Sequence, residues 1–182
     1  VGSLKGAKHG GAAGRVRAMM QDLESTVSDW GSRTAIEGYL RALLRREAFD
    51  RSGLIYGVGH AVYTRSDPRA VLLEAKAAEL AAESGQLERL ELYRSVARLA
   101  PQVFQDERNT DQIISPNVDF YSGFVYSMLG IPEELFTPIF AVARIAGWSA
   151  HRIEELVSGG RIIRPAYKNI LGHRPYIPMT ER

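Results

Sequence analysis

Apolar residues recur at intervals of three and four through most of this chain, the spacing that buries one face of an α-helix. Over residues 13–30, Val16, Met19, Met20, Leu23, Val27 and Trp30 keep that period, and Gly31 is placed to end the helix. Thr34 and Glu37 have capping-box spacing and start a second helix that carries Ile36, Tyr39, Leu40, Leu43 and Leu44. The methionines and leucines of both stretches read as ordinary core. Residues 53–66 break the period. Glycine-rich and aromatic, with only a weak strand signal at 54–56, they read as an ordered loop. Asp67 followed by Pro68 supplies an N-cap and a first-turn proline for a third helix, through Val71, Leu72, Ala75 and Leu80 to Gly85. A fourth runs from about Gln86 into the region of Pro101.

Residues 105–117, QDERNTDQIISPN, are polar and end in proline and asparagine, so they read as a connection. Helix resumes near Val118 with Phe120, Phe124, Met128 and Leu129 and stops at Gly130. Pro132, and then Thr137 with Pro138, each restart a helix, and the last long one reaches Gly159. The tail beyond Gly160 has three prolines and no period, and is expected to lie extended over a surface. No internal repeat is present. The predicted fold class is all-α, with strand content near zero.

Composition narrows the setting. A length of 182 residues at 45% hydrophobic content suits one domain or a compact pair. No apolar run approaches the roughly 18 residues of a membrane helix, and the N-terminus lacks a charged n-region followed by an apolar stretch, so no membrane association is expected. The 23 basic and 21 acidic residues are interspersed, giving a net charge of +2, which argues against a nucleic-acid partner. The absence of cysteine excludes disulfides and thiolate zinc sites and suits a cytoplasmic setting. Val1 stands where an initiator methionine would, and an HGG segment arrives within ten residues, as expected of a fragment of something longer.

The candidate chemistry lies at the helix junctions. KHGG holds His9, GVGHAVY holds His60 and SPNVDFYSG holds Asp119, each in a glycine-, proline- or asparagine-containing stretch that opens a helical segment. Ligands approach bare backbone closely there, and helix starts present unpaired amides to anions. Taken singly, His60 reads as a turn cap and Asp119 as an N-cap carboxylate. The arginines change that reading. Arg69 follows the His60 loop, Arg164 precedes Pro165, and Arg144 sits within IFAVARIAGW, where a buried guanidinium would require an anionic partner. Several guanidinium forks converging with two histidines suit a small polycarboxylate. A metal bound by His9, His60 and Asp119 is the competing idea, but the same arginines would repel a cation. His151 and His173 read as structural or solvated.

KHGG, GVGHAVYTRSDPRA, PNVDFYSG and FAVARIAGWSAHRIEEL together resemble, in order and spacing, the signature segments of citrate synthase, along nearly the whole chain. The resemblance implies an all-helical homodimer with a large and a small domain. Residues 1–12 would be an active-site loop, 13–123 the small, CoA-binding domain, and 124–182 the last helices and tail of the large one. It implies condensation of acetyl-CoA with oxaloacetate to citrate and CoA, with no permanently bound cofactor and no metal. Asp119 would remove a methyl proton of the thioester, His9 would hydrogen-bond the enol oxygen, and His60 would donate to the oxaloacetate carbonyl. Arg69 and Arg144 would clamp substrate carboxylates, Arg164 would reach the neighbouring subunit's site, and Phe140 would lie against substrate. Gly57, Gly59 and Arg65 fall where CoA would run. Thr110, Asp111 and Gln112 replace lysines common in relatives, and Ala13 replaces a polar residue. Two rival readings are 2-methylcitrate synthesis from propionyl-CoA, and a non-catalytic helical module, since the family's upstream part with a further oxaloacetate-binding histidine is expected to lie outside this sequence.

Overall fold

The computed structural model describes residues 11–159 together with Pro178 and Thr180. His9, Arg164, His173 and the expected extended tail lie outside the described residues. Among those described, the chain forms α1 (Ala12–Thr26), α2 (Arg33–Leu44), α3 (Pro68–Ser84), α4 (Leu87–Arg108), α5 (Val118–Met128) and α6 (Phe136–Ser158), with a 3-10 turn at Glu133–Leu135 before α6. There is no strand among them, only an isolated antiparallel bridge between Val58 and Pro116. The fold is all-α, as the periodicity predicts. Among the described residues, no helix is long and apolar enough to cross a membrane.

Two compact units divide the chain, Val1–Ala143 and Arg144–Arg182. In the first, α5 packs against α1 and α3, and α4 packs against α2 and α3. Met19, Met20 and Leu23 of α1, Leu40 and Leu43 of α2, Tyr93 and Val96 of α4, and Phe120 and Phe124 of α5 share one core. The Tyr93 ring lies 5.6 Å from Phe120 and 4.7 Å from Phe124, centroid to centroid, and burial pushes its phenol above the ordinary range. Helices α1 and α5 approach closely because Gly123 has no side chain: a Cβ there would sit 2.7 Å from the Ala13 carbonyl oxygen.

Several boundaries depart from the periodic reading. Helix α1 ends at Thr26, short of Trp30, and in its last turn the Ser25 and Thr26 hydroxyls donate to the Asp22 carbonyl at 2.8 and 2.7 Å. Trp30 folds back, its indole N–H donating to the Glu24 carbonyl at 3.4 Å. Helix α2 is capped by Ser32, whose hydroxyl accepts from the Ala35 N–H at 3.3 Å, so the Thr34 capping box does not form. Helix α3 begins and ends as predicted, with Asp67 as N-cap and a left-handed Gly85 after it. It presents a different face, however: Ala70, Ala77 and Ala81 are buried while Val71 and Leu72 are exposed. Asp67 is buried on that same stripe and fixes the rotation of the helix.

Helix α4 runs through Pro101 to Arg108 rather than ending near the proline. An interior proline forfeits a backbone bond and costs about 3 kcal/mol. Here Ala100 and Val103 are buried beside it, and Glu107 accepts from Arg45, just past the end of α2, and from Arg41 of α2, which hold its carboxyl down to about 2. Helix α6 starts at Phe136, so Thr137 and Pro138 belong to its first turn instead of restarting a helix.

Candidate active site

The loop that carries His60 and the helix that carries Asp119 are joined at the Val58–Pro116 bridge. Gly59 N–H donates to the Ser115 carbonyl, and Asn117 N–H to the Gly57 carbonyl, both at 2.8 Å. The Asn117 side chain then spans the junction in two directions. Its carbonyl oxygen accepts from the Asp119 N–H at 3.0 Å as the N-cap of α5, and its amide N–H donates to the Gly59 carbonyl at 2.8 Å. Asp119 is therefore a half-buried first-turn residue facing the positive end of α5, and not the cap itself.

His60 is exposed, and its ring orientation is set by its own loop. Nδ1 accepts from the Val62 and Tyr63 backbone N–H groups at 3.0 and 3.1 Å. An atom that accepts two amides carries no proton, so the neutral ring keeps its proton on Nε2. Nε2 lies 3.5 Å from an Arg69 Nη2 nitrogen. Two donors side by side make a place for an oxygen that accepts from both.

Arg69 is held from below. Its Nε and Nη2 donate to the two carboxylate oxygens of Asp67 at 3.0 and 2.8 Å, and its own backbone N–H donates to Asp67 at 3.0 Å. The second Asp67 oxygen also accepts from the Val118 N–H at 3.1 Å, one residue before Asp119. The Arg69 guanidinium, opposed by burial and helped by the two backbone donors, brings the Asp67 carboxyl down to about 2. Arg69 is in turn raised, first by its bond to Asp67, with the charge of Asp119 among the smaller contributors. Above it, the guanidinium carbon lies 5.1 Å from the Tyr63 ring centroid, and the Tyr63 and His60 rings are 5.0 Å apart.

The structure thus brings His60, Arg69 and Asp119 into one hydrogen-bonded neighbourhood, with Gly57 and Gly59 in its floor. The two glycines differ. At Gly57, with φ of +76°, a Cβ would meet Val16 at 2.6 Å and the Phe120 backbone at 2.9 Å, so packing demands glycine there. At Gly59, with φ of +94°, a Cβ would make only an ordinary contact with Ile114 at 3.9 Å, but both its N–H and its C=O are already bonded. Arg65 is exposed in the same loop. Phe140 is exposed on α6. Arg144, expected to be buried among apolar neighbours, is exposed instead, because Val142 and Ile145 around it are exposed as well. Tyr63, Asp67 and Asn117 were not evident as site residues from the sequence: Asp67 and Asn117 look like ordinary cap and turn residues, and only their long-range second bonds mark them out.

Comparison with known proteins identifies the family of the chain. The family described as "Citrate synthase, C-terminal domain" matches residues 1–166. The chain is 40% identical to the citrate synthase of Synechocystis over 183 residues, covering all of this chain and 42% of that protein. It is 33% identical to 2-methylcitrate synthase 1 of Corynebacterium glutamicum, covering all of this chain and 42% of that one. Among solved structures it is similar to citrate synthase from Thermotoga maritima, at a TM-score of 0.63 and 34% identity, covering all of this chain and 45% of that chain. It is similar also to the Thermoplasma acidophilum citrate synthase in a ternary complex with carboxymethyl coenzyme A and oxaloacetate, at a TM-score of 0.67 and 28% identity, covering 44% of that chain. The chain spans about two-fifths of the length of these curated relatives. Matched along nearly its whole length by the family's C-terminal domain, and sharing its all-helical fold, this chain belongs to the citrate synthase family.

Proposed function

We propose that this chain carries the condensing half of a citrate synthase-type active site, joining the acetyl group of acetyl-CoA to oxaloacetate to give citrate and CoA. Residues 13–123 act as the CoA-binding small domain, with 1–12 and 124–182 belonging to the large one. The Asp119 carboxylate takes a methyl proton from the thioester while His9 hydrogen-bonds the enol oxygen that forms. The enol carbon attacks the oxaloacetate carbonyl carbon. As that carbon–carbon bond forms, His60 gives its Nε2 proton to the carbonyl oxygen, and water then cleaves the citryl thioester. A carboxylate is too weak a base for such a proton unless a preorganised donor meets the developing charge. Arg69 and Arg144 bind substrate carboxylates, Arg164 serves the site of a neighbouring subunit in a homodimer, and Phe140 lies against substrate. Gly57, Gly59 and Arg65 lie along CoA, which binds as substrate in the absence of any resident cofactor.

The observation that supports this reading best is the His60 ring, whose Nδ1 is occupied by two backbone amides so that an Nε2–H donor stands beside Arg69. The test is CoA release by the full-length protein supplied with acetyl-CoA and oxaloacetate. Asp119→Ala is expected to lower kcat by about 10² to 10⁴. A rate within about threefold of the unsubstituted protein removes Asp119 from the role of base.

Propionyl-CoA as the acyl donor is a second reading, supported by the likeness to the Corynebacterium 2-methylcitrate synthase. One methylene is worth about 1–3 kcal/mol of discrimination, so kcat/KM for the two thioesters separates the readings.

A further inference from the structure

We infer that Asn117 is a positioning residue that sets His60 and Asp119 relative to each other. This inference rests on the proposed condensation. His60 lies on a loop and Asp119 on a helix far along the chain, and the two must act on opposite reactants in successive steps at one site. The side chain of Asn117 is bonded to the backbone next to each. Its oxygen takes the Asp119 N–H at 3.0 Å, and its nitrogen donates at 2.8 Å to the Gly59 carbonyl, the peptide unit that leads into His60. Gly59 has a φ of +94°, so the loop turns at the very peptide that Asn117 holds. Asn117 is half-buried at the seam where the Gly57 and Ser115 carbonyls accept the neighbouring amides.

Only an amide side chain of this length serves both ends. Serine at 117 keeps the N-cap function but is too short to reach Gly59. Aspartate also caps the helix, but turns a second acceptor oxygen toward the Gly59 carbonyl, replacing attraction by repulsion. The two variants therefore keep α5 capped while releasing the loop, which a purely structural role for Asn117 does not distinguish from the native residue.

The test compares N117S and N117D with the unsubstituted full-length protein by steady-state kinetics, thermal melting and the ¹⁵N resonances of the His60 ring. Misplacement by about 1 Å costs on the order of 10²-fold in rate. N117S is expected to lose kcat on that scale with a small change in KM for acetyl-CoA, to melt close to the unsubstituted protein, and to shift the His60 ring resonances. N117D is expected to lose at least as much kcat. Retention of native kcat by N117S, with unmoved His60 resonances, overturns the inference. If the unsubstituted protein releases no CoA, the proposed function fails instead, and the ring resonances alone decide whether Asn117 orients His60.

Discussion

Helices α5 and α6 have similar apolar content and opposite surroundings. In α5, Phe120, Tyr121, Phe124 and Val125 are all buried, and the helix start carries Asp119. In α6, Val142, Ile145, Ile153, Leu156 and Val157 are exposed, Val157 to 83%, and only Phe136 at the start is buried. Both follow from the same periodic pattern. What separates them is burial: α1 and α3 cover α5, whereas these apolar residues of α6 are exposed. An apolar stripe predicts that a helix can be buried, and the rest of the chain decides whether it is.

The sharpest test of this contrast is a truncation in each helix. Phe124→Ala in α5 is expected to destabilise the chain by about 3–5 kcal/mol, the usual cost of emptying a fully buried aromatic position, as read by urea unfolding. A cost below about 1 kcal/mol would mean that the α5 core is not packed as described. A smaller effect concerns the α5 start. Asp67, with its carboxyl lowered from 3.8 to about 2, contributes stability that is present above about pH 4 and lost as pH falls toward 2. Glu107, lowered to about 2 by Arg45 and Arg41, titrates in the same window. Asp67→Asn is therefore expected to make the melting temperature less steep in pH between about 4 and 2 while leaving the Glu107 share, and an unchanged slope would mean that Arg69 does not hold the Asp67 carboxylate as described. The smallest effect belongs to α6: Val157→Ser is expected to change the stability of this chain by no more than about 0.5 kcal/mol, and a loss near that of Phe124→Ala would erase the contrast.

Much of this was legible in the sequence. Cap chemistry is local, so Asp67 with Pro68 and the terminal Gly85 fixed α3, and Met19 and Met20 read correctly as core. The misreadings occur where a distant contact outweighs a local signal. Pro101 reads as a stop, but buried neighbours and the Glu107 ion pairs carry α4 past it. The buried face of α3 is an alanine stripe, a weak hydrophobic signal beside Val71 and Leu72, and buried Asp67 selects it. Of the site, His60, Arg69 and Asp119 stand out by residue type. Asn117 does not, because what distinguishes it from any turn asparagine is a bond to a carbonyl 58 positions away.

That separation also has a bearing on how the protein folds. Bringing Gly59 and Asn117 together closes a long loop, whose chain entropy must be lost before the tie offers any return, although each doubling of loop length adds only about 0.6 kcal/mol. The seam is accordingly expected to form after the α3–α4 hairpin inside that loop has condensed. With fewer buried apolar contacts than the core, the seam is expected to open before it, and faster amide exchange at Gly59 and Asn117 than in the Tyr93 and Phe120 neighbourhood is the measurement that checks this.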